Sequence, residues 1–204
     1  LWFEKCIKKQ LYGEAYLVRF ADDFLIMFQY ERDAQRVYEA VIKRMELFGL
    51  ELSKEKTRIL PFGRYSGSRE TFDFLGFTHF NSKTRKGYYS VGHKISRKKK
   101  KQFKSNLKKW VKENRNTQFD EFMKALNKKL TGSFNYYSLS GMIKEVRNLW
   151  QHSLYVTFKW LNRRSQRRSF KLERFYEIWN DRIIRPYIHV DIWSGDKVIY
   201  NKNV

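Results

Sequence analysis

The sequence predicts an α+β chain. Three observations carry that expectation: two closely spaced, aromatic-rich apolar runs near the N terminus, an amphipathic stretch of helical period directly after them, and a change near residue 94 to long basic segments that also repeat with a helical period. At 204 residues there is room for one ordinary domain or for two small ones. With 17 Phe, 13 Tyr and 6 Trp, the chain carries enough bulky apolar surface to build a core, which excludes disorder over most of its length.

The opening residues, Leu1 to Ile7, lack an initiator Met and read as the interior of an apolar element, as in a sequence that starts within a larger protein. Tyr16–Phe20 and Phe24–Phe28 are rich in aromatic and β-branched residues and are joined by Ala21-Asp22-Asp23, so they predict a β-hairpin with both acids at its tip. Asp33 is the expected cap of a following helix, in which Ala34, Val37, Tyr38, Val41, Met45 and Phe48 recur every three or four residues and Gly49 marks the stop. That helix should cover one face of the sheet containing the hairpin. Leu50–Ser53 and Thr57–Leu60 read as short strands or connectors before Pro61 and the Gly63–Ser68 loop. Thr71–Phe80 and Gly87–Val91 predict a second hairpin, joined through an Asn81–Lys86 turn.

From Lys94 to Lys112 there are ten Lys or Arg and no acid, while Phe103, Leu107, Trp110 and Val111 trace one helical stripe. A second helix is expected around Phe119, Phe122, Met123, Leu126 and Leu130, capped by Thr117. A third runs from about Met142 to Leu161 on Ile143, Val146, Trp150, Leu154, Phe158 and Leu161. Three amphipathic helices with short links predict a small bundle, and Phe134, Tyr136, Tyr137, Trp150 and Trp160 are expected to pack it rather than to stack on bases. The boundary between the two parts falls at about Val91 to Ser96. Residues 179–204 show little periodicity, although Asp191–Tyr200 fits a small terminal hairpin.

The formal net charge is +22, from 43 Lys and Arg against 21 Asp and Glu, which calls for a polyanionic partner. No run approaches the length of a spanning helix and nothing resembles a signal peptide, so a cytoplasmic protein with no membrane partner is expected. Cys6, the single cysteine, is expected to be a packed thiol, and the scattered His79, His93, His152 and His189 lack the spacing of a zinc site. Within so basic a chain, Asp22 and Asp23 have two readings, a solvated turn or a pair of hard oxygen donors for Mg2+, with Mn2+ as the alternative ion. Arg97, Lys98, Lys99, Lys100, Lys101, Lys104 and Lys108 suit contacts to a phosphate backbone. Arg163, Arg164, Gln166, Arg167 and Arg168 add directional guanidinium and amide donors suited to structured RNA.

Four segments also carry a family resemblance. Phe20-Ala21-Asp22-Asp23 resembles the Tyr/Phe-x-Asp-Asp signature of reverse transcriptases. Leu50–Thr57, Phe72–Thr78 and Arg163–Gln166 resemble later segments, in the same order, of the bacterial group II intron-encoded reverse transcriptase/maturase type. The resemblance implies that residues 1–92 are the C-terminal half of a polymerase palm, 93–178 a helical thumb or maturase X domain, and 179–204 a C-terminal extension. Asp22 and Asp23 would belong to a magnesium-binding triad whose third Asp lies on an earlier palm strand. That strand, the fingers and the template-positioning Pro-Gln-Gly segment are absent from this sequence and would come from the same or another chain. Phe20 takes the place of the more usual Tyr, Lys56 would lie near the incoming nucleotide, and Leu75 and Gly76 would support the primer terminus. The implied activity is RNA-directed DNA polymerisation, with an RNA template, an RNA/DNA duplex and structured intron RNA as partners. The alternative is an RNA-binding maturase that assists splicing without needing the acid pair. No zinc-bearing endonuclease segment follows the thumb, so cleavage of target DNA by this chain is not expected.

Overall fold

The computed structural model describes residues 2–53, 55–164, 169–188, 190 and 191. Two compact units are present: one takes in the residues up to Leu75 together with His79–Gly92, the other Gly76–Thr78 and the residues from His93 onward. The architecture is mixed α+β, with β-hairpins followed by a helical bundle.

In the first unit a short π-helical turn, Phe3–Ile7, and a 3-10 turn, Lys8–Gln10, lead into β1 (Ala15–Phe20) and β2 (Asp23–Phe28), which pair antiparallel from Ala15↔Phe28 to Phe20↔Asp23. Side chains alternate across a strand, so Ala15 and Leu17 share a face with Phe24, Ile26 and Phe28. These residues join Phe3, Val37 and Val41 in one apolar cluster, and this is how α1 (Glu31–Leu47) covers one side of the hairpin. Its C terminus closes as the sequence predicts. Gly49 takes φ 65°, its N–H reaches the Glu46 carbonyl at 3.0 Å, and the Leu50 N–H reaches Met45 at 2.9 Å, the paired bonds of a Schellman motif.

Several expectations are corrected in this unit. Asp33 is not the cap of α1; Tyr30 occupies that position. The buried Asp33 carboxylate instead accepts the Tyr12 and Gly13 N–H groups at 2.9 and 3.0 Å, a long-range tie that local patterning cannot distinguish from a cap. Phe48, at the end of the predicted stripe, is 65% exposed. Cys6 is exposed rather than packed. Of the two readings of Leu50–Ser53 and Thr57–Leu60, strand or connector, the connector holds among the described residues.

The expected Thr71–Phe80 strand is two strands. β3 (Thr71–Phe74), β4 (Phe77–Lys83) and β5 (Tyr89–Ile95) lie side by side in chain order. The break falls at Leu75-Gly76, both with positive φ, 50° and 81°. Two consecutive positive φ values are the signature of a type I′ hairpin turn. Apolar residues continue unbroken through this turn, which hides it from a periodicity reading.

The second unit is built on α2 (Arg97–Asn114), α3 (Phe119–Tyr137), α4 (Ile143–Leu161) and α5 (Leu172–Arg182). Ser96 caps α2 by accepting the Lys99 N–H, and Gln118, not Thr117, caps α3 through Glu121. α4 contacts each of the other three helices. Its Val146, Leu149, Trp150, Ser153, Leu154, Thr157 and Leu161 are buried, at the helical spacing that a central element needs. Each large apolar side chain buried this way contributes roughly 1.5–3 kcal/mol.

Of the aromatic residues assigned to packing, Phe134, Tyr137 and Trp150 are buried, Trp160 is half-buried, and Tyr136 is 53% exposed with its ring stacked on Phe77. α5 was not anticipated. It runs through residue 178 and sends Phe175, Trp179 and Ile183 into the core. Beyond it, Leu139 and Val190 form an isolated parallel bridge. The predicted terminal hairpin lies outside the described residues apart from Asp191.

Candidate active site and nucleic-acid face

The hairpin tip is a two-residue turn, Ala21-Asp22, closed by the Phe20↔Asp23 pair. Ala21 has φ 53°, and a positive φ at the first central residue alone is the sign pattern of a type II′ turn. Arg19 Nε donates to the Ala21 carbonyl at 2.8 Å and holds the turn from outside. Asp22 and Asp23 are both exposed. Directly paired residues share a face, so Asp23 and Phe20 stand on the side of the hairpin that α1 leaves open. With them lie Tyr16, Val18 and Met27, 53%, 43% and 47% exposed. Both faces of the hairpin are apolar in the sequence, so only the strand register identifies the open one.

Phe20, Asp22 and Asp23 are thus brought together at one tip. Lys56 is exposed on a loop, where its N–H donates to the Ser53 carbonyl at 3.0 Å. Leu75 and Gly76 form the strained β3–β4 turn. Leucine in the left-handed region costs roughly 1–2 kcal/mol, and strain of this kind tends to persist where a chain is over-determined for function. Among the described residues no group of three or more His, Cys, Asp or Glu is placed to hold a metal. The carboxylates of Asp22 and Asp23 are therefore a fitting but partial donor set for a hard divalent ion.

On α2, Arg97, Lys98, Lys99, Lys101, Lys104 and Lys108 are exposed and ion-pair with no carboxylate among the described residues. Lys100 differs. It is half-buried and pairs with Glu145 on α4, so its charge joins two helices instead of facing solvent. Near the middle of α2, Lys104 acts on the partly buried His152, whose pKa is lowered first by burial and then by that lysine.

At the far ends of α2 and α4, Arg163, Arg115 and Lys112 surround the Trp160 ring at 5.5, 5.6 and 5.7 Å from its centre. Arg164 donates to the carbonyls of Leu161 and Arg115, and Arg115 to that of Arg163. Cations at helix C termini complement the backbone dipole, and the indole face offsets part of their mutual repulsion. Arg115 was missed by sequence reasoning, because it lies outside both basic runs. Gln166, Arg167 and Arg168 lie outside the described residues.

Two family models match the chain: reverse transcriptase (RNA-dependent DNA polymerase) over residues 2–79, and the group II intron maturase-specific domain over residues 100–177. Their order along the chain decides the identification. The chain belongs to the group II intron-encoded reverse transcriptase/maturase family. The reverse transcriptase match contains Phe20, Asp22, Asp23, Lys56, Leu75 and Gly76, while the maturase match contains the basic groups from Lys100 on and Arg97, Lys98 and Lys99 just precede it. Among curated proteins, none matches this family member. No described helix of it is long and apolar enough to cross a membrane.

Proposed function

We propose that this chain supplies part of the catalytic centre and most of the nucleic-acid grip of an RNA-directed DNA polymerase of the group II intron type. The observation that carries the reading is the pair Asp22-Asp23, exposed at the tip of a tight hairpin inside the reverse transcriptase match. Residues 1–92 act as the C-terminal half of a palm, 93–178 as a thumb and 179–204 as an extension of it, in a cytoplasmic protein.

The reaction joins a primer 3′-hydroxyl to the α-phosphate of a deoxynucleotide, with pyrophosphate leaving. Asp22 and Asp23 would hold Mg2+ or Mn2+, completed by a further carboxylate from outside the described residues. When bound, such an ion would supply activation of the attacking hydroxyl and charge stabilisation on the leaving oxygens. Phe20, on the same face as Asp23, offers an aromatic surface against which the primer end or nucleotide is placed. The Leu75-Gly76 turn supports the primer terminus and Lys56 balances nucleotide charge. Exposed Arg and Lys of α2, with Arg163, Arg164 and the residues following them, hold the RNA template, the RNA/DNA duplex and structured intron RNA by their backbones.

A second reading, an RNA-binding maturase that promotes splicing without polymerisation, is favoured by the maturase-specific match over residues 100–177. Replacing both acids, Asp22→Asn with Asp23→Asn, separates the two. On the polymerase reading, RNA-templated primer extension is lost while RNA binding persists. Extension at the wild-type rate defeats it.

A further inference from the structure

Arg19 sits at the end of β1 and ion-pairs with no carboxylate among the described residues, although Asp22 and Asp23 follow it closely in the chain. Its Nε donates instead to a backbone acceptor, the Ala21 carbonyl, at 2.8 Å. Arg19 pairs directly with Phe24, and Phe20 with Asp23, so by strand alternation Arg19 belongs to the face opposite Phe20 and Asp23. The guanidinium thus reaches the tip from behind. Both carboxylates stay free of an ion pair among the described residues.

The carbonyl that Arg19 holds is the one that defines the turn. Two turn types match the twist of a two-residue hairpin, I′ and II′. Both need a positive φ at the first central residue, and they differ by a flip of the central peptide, which reverses the sign of φ at the second. Ala21 has φ 53° while Asp22 is outside the positive region, as in II′. Glycine would favour II′ from the first position, but alanine does not, and aspartate is one of the few side chains that tolerate the positive φ of I′. Ala21-Asp22 alone therefore leaves the flip open. Arg19 closes it, because a flipped peptide would turn the carbonyl away and set the Asp22 N–H towards Nε, donor against donor.

We infer that Arg19 is a positioning residue of the proposed metal site: by holding the Ala21 carbonyl from the closed face it fixes the central peptide of the turn, and with it the direction of the Asp22 carboxylate. It acts through the backbone and touches neither substrate nor ion. The inference deepens the polymerase reading and rests on it for any effect on extension, whereas the turn itself is measured without catalysis.

Two variants separate the bond from the charge. Gln places its amide nitrogen as many bonds from Cα as Nε of Arg, so Arg19→Gln keeps the donor and removes the charge; Arg19→Met keeps the length with neither. Nuclear magnetic resonance of the full chain reads the turn, since the amide protons of Ala21 and Asp22 are far apart in II′ and close in I′. Wild type and Arg19→Gln should show no strong contact between these protons, and Arg19→Met should show one. In the intact polymerase, the Mg2+ concentration for half-maximal primer extension should rise about tenfold or more in Arg19→Met, as for other groups that orient a metal ligand, and stay within about twofold of wild type in Arg19→Gln. The melting temperature of Arg19→Met should fall by no more than about 4 °C, the scale of one hydrogen bond in a chain of this size.

An Arg19→Met protein that keeps the II′ turn, or one that keeps the wild-type Mg2+ requirement, overturns the inference. Equal impairment of Arg19→Gln and Arg19→Met overturns it too, since the charge and not the bond would then act, as does a far larger fall in melting temperature, which would assign Arg19 to the fold. Extension at the wild-type rate with both Asp22 and Asp23 replaced by Asn defeats the polymerase reading, and the amide contact then still decides whether Arg19 sets the turn.

Discussion

Asp33→Ala tests how the hairpin is anchored. The carboxylate is 1% exposed, and its Oδ2 accepts two backbone N–H bonds, from Tyr12 at 2.9 Å and Gly13 at 3.0 Å, immediately before β1. Hydrogen bonds to a charged acceptor contribute about 1.5–3 kcal/mol each, so the two together give roughly 3–6 kcal/mol. Against this, Oδ1 is buried without a hydrogen-bond partner among the described residues, at a cost of about 1–3 kcal/mol that the alanine removes. Taking the middle of each range, the net expectation is a loss of about 2–3 kcal/mol. Asn keeps an acceptor for the two N–H groups but gives up the charge, so Asp33→Asn should fall between wild type and Asp33→Ala. Urea unfolding of the intact chain measures the loss as a lower midpoint at unchanged slope, and hydrogen exchange should show the Tyr12 and Gly13 amides losing protection. A loss under about 0.5 kcal/mol for Asp33→Ala, the range of an ordinary surface change, or an Asn variant weaker than the Ala one, would refute the reasoning.

Gly76→Ala should destabilise by about 1–2 kcal/mol, because Gly76 has φ 81° while its added Cβ would meet Lys99 and Tyr137 only at ordinary contact distance; urea unfolding at wild-type stability would contradict this. Phe20→Ala removes a ring that is 65% exposed, so stability should hold within about 0.5 kcal/mol while kcat/KM for extension in an intact polymerase drops roughly tenfold or more; unchanged extension kinetics would sink the placement role. His152 has a lowered pKa, from burial first and Lys104 second. The fold therefore favours its neutral form, the unfolded chain takes up a proton near pH 6.5, and the His152 contribution is complete above that pH and declines as pH falls below it. Unfolding measured against pH should show His152→Gln flattening this acid loss, and an identical acid profile in the two proteins would count against it.

The parts of this molecule visible in the sequence are those set by local pattern. Aromatic and β-branched runs on either side of Ala21-Asp22-Asp23 define the β1–β2 pairing, and the three-and-four spacing of Ala34, Val37 and Val41 gives the covered face of α1. Gly49 carries its own conformational signal. What escaped was decided by distant partners. A run of like charges cannot show that Lys100 turns inward to Glu145 while its neighbours face out. Leu75 adopts a left-handed backbone that no leucine prefers by itself. Arg115 meets Arg163 and Arg164 only because two helix ends converge on Trp160. In α5, Glu173, Arg174, Glu177, Asp181 and Arg182 around Phe175 and Trp179 blur a stripe that the core nevertheless buries. At the candidate site, chemistry was legible in the acid pair, whereas the open face shared by Phe20, Asp23, Tyr16, Val18 and Met27 emerged only from strand pairing.

The central claim is that Asp22 and Asp23 hold the reaction's divalent ion, and the most direct measurement is backbone cleavage by Fe2+ substituted for Mg2+ in the complex of the intact protein with an RNA/DNA hybrid and deoxynucleotide. The account predicts cuts at the β1–β2 turn, suppressed by excess Mg2+ and lost in the Asp22→Asn, Asp23→Asn protein. Cleavage elsewhere with the turn intact, or cuts at the turn that survive replacement of both acids, would contradict it.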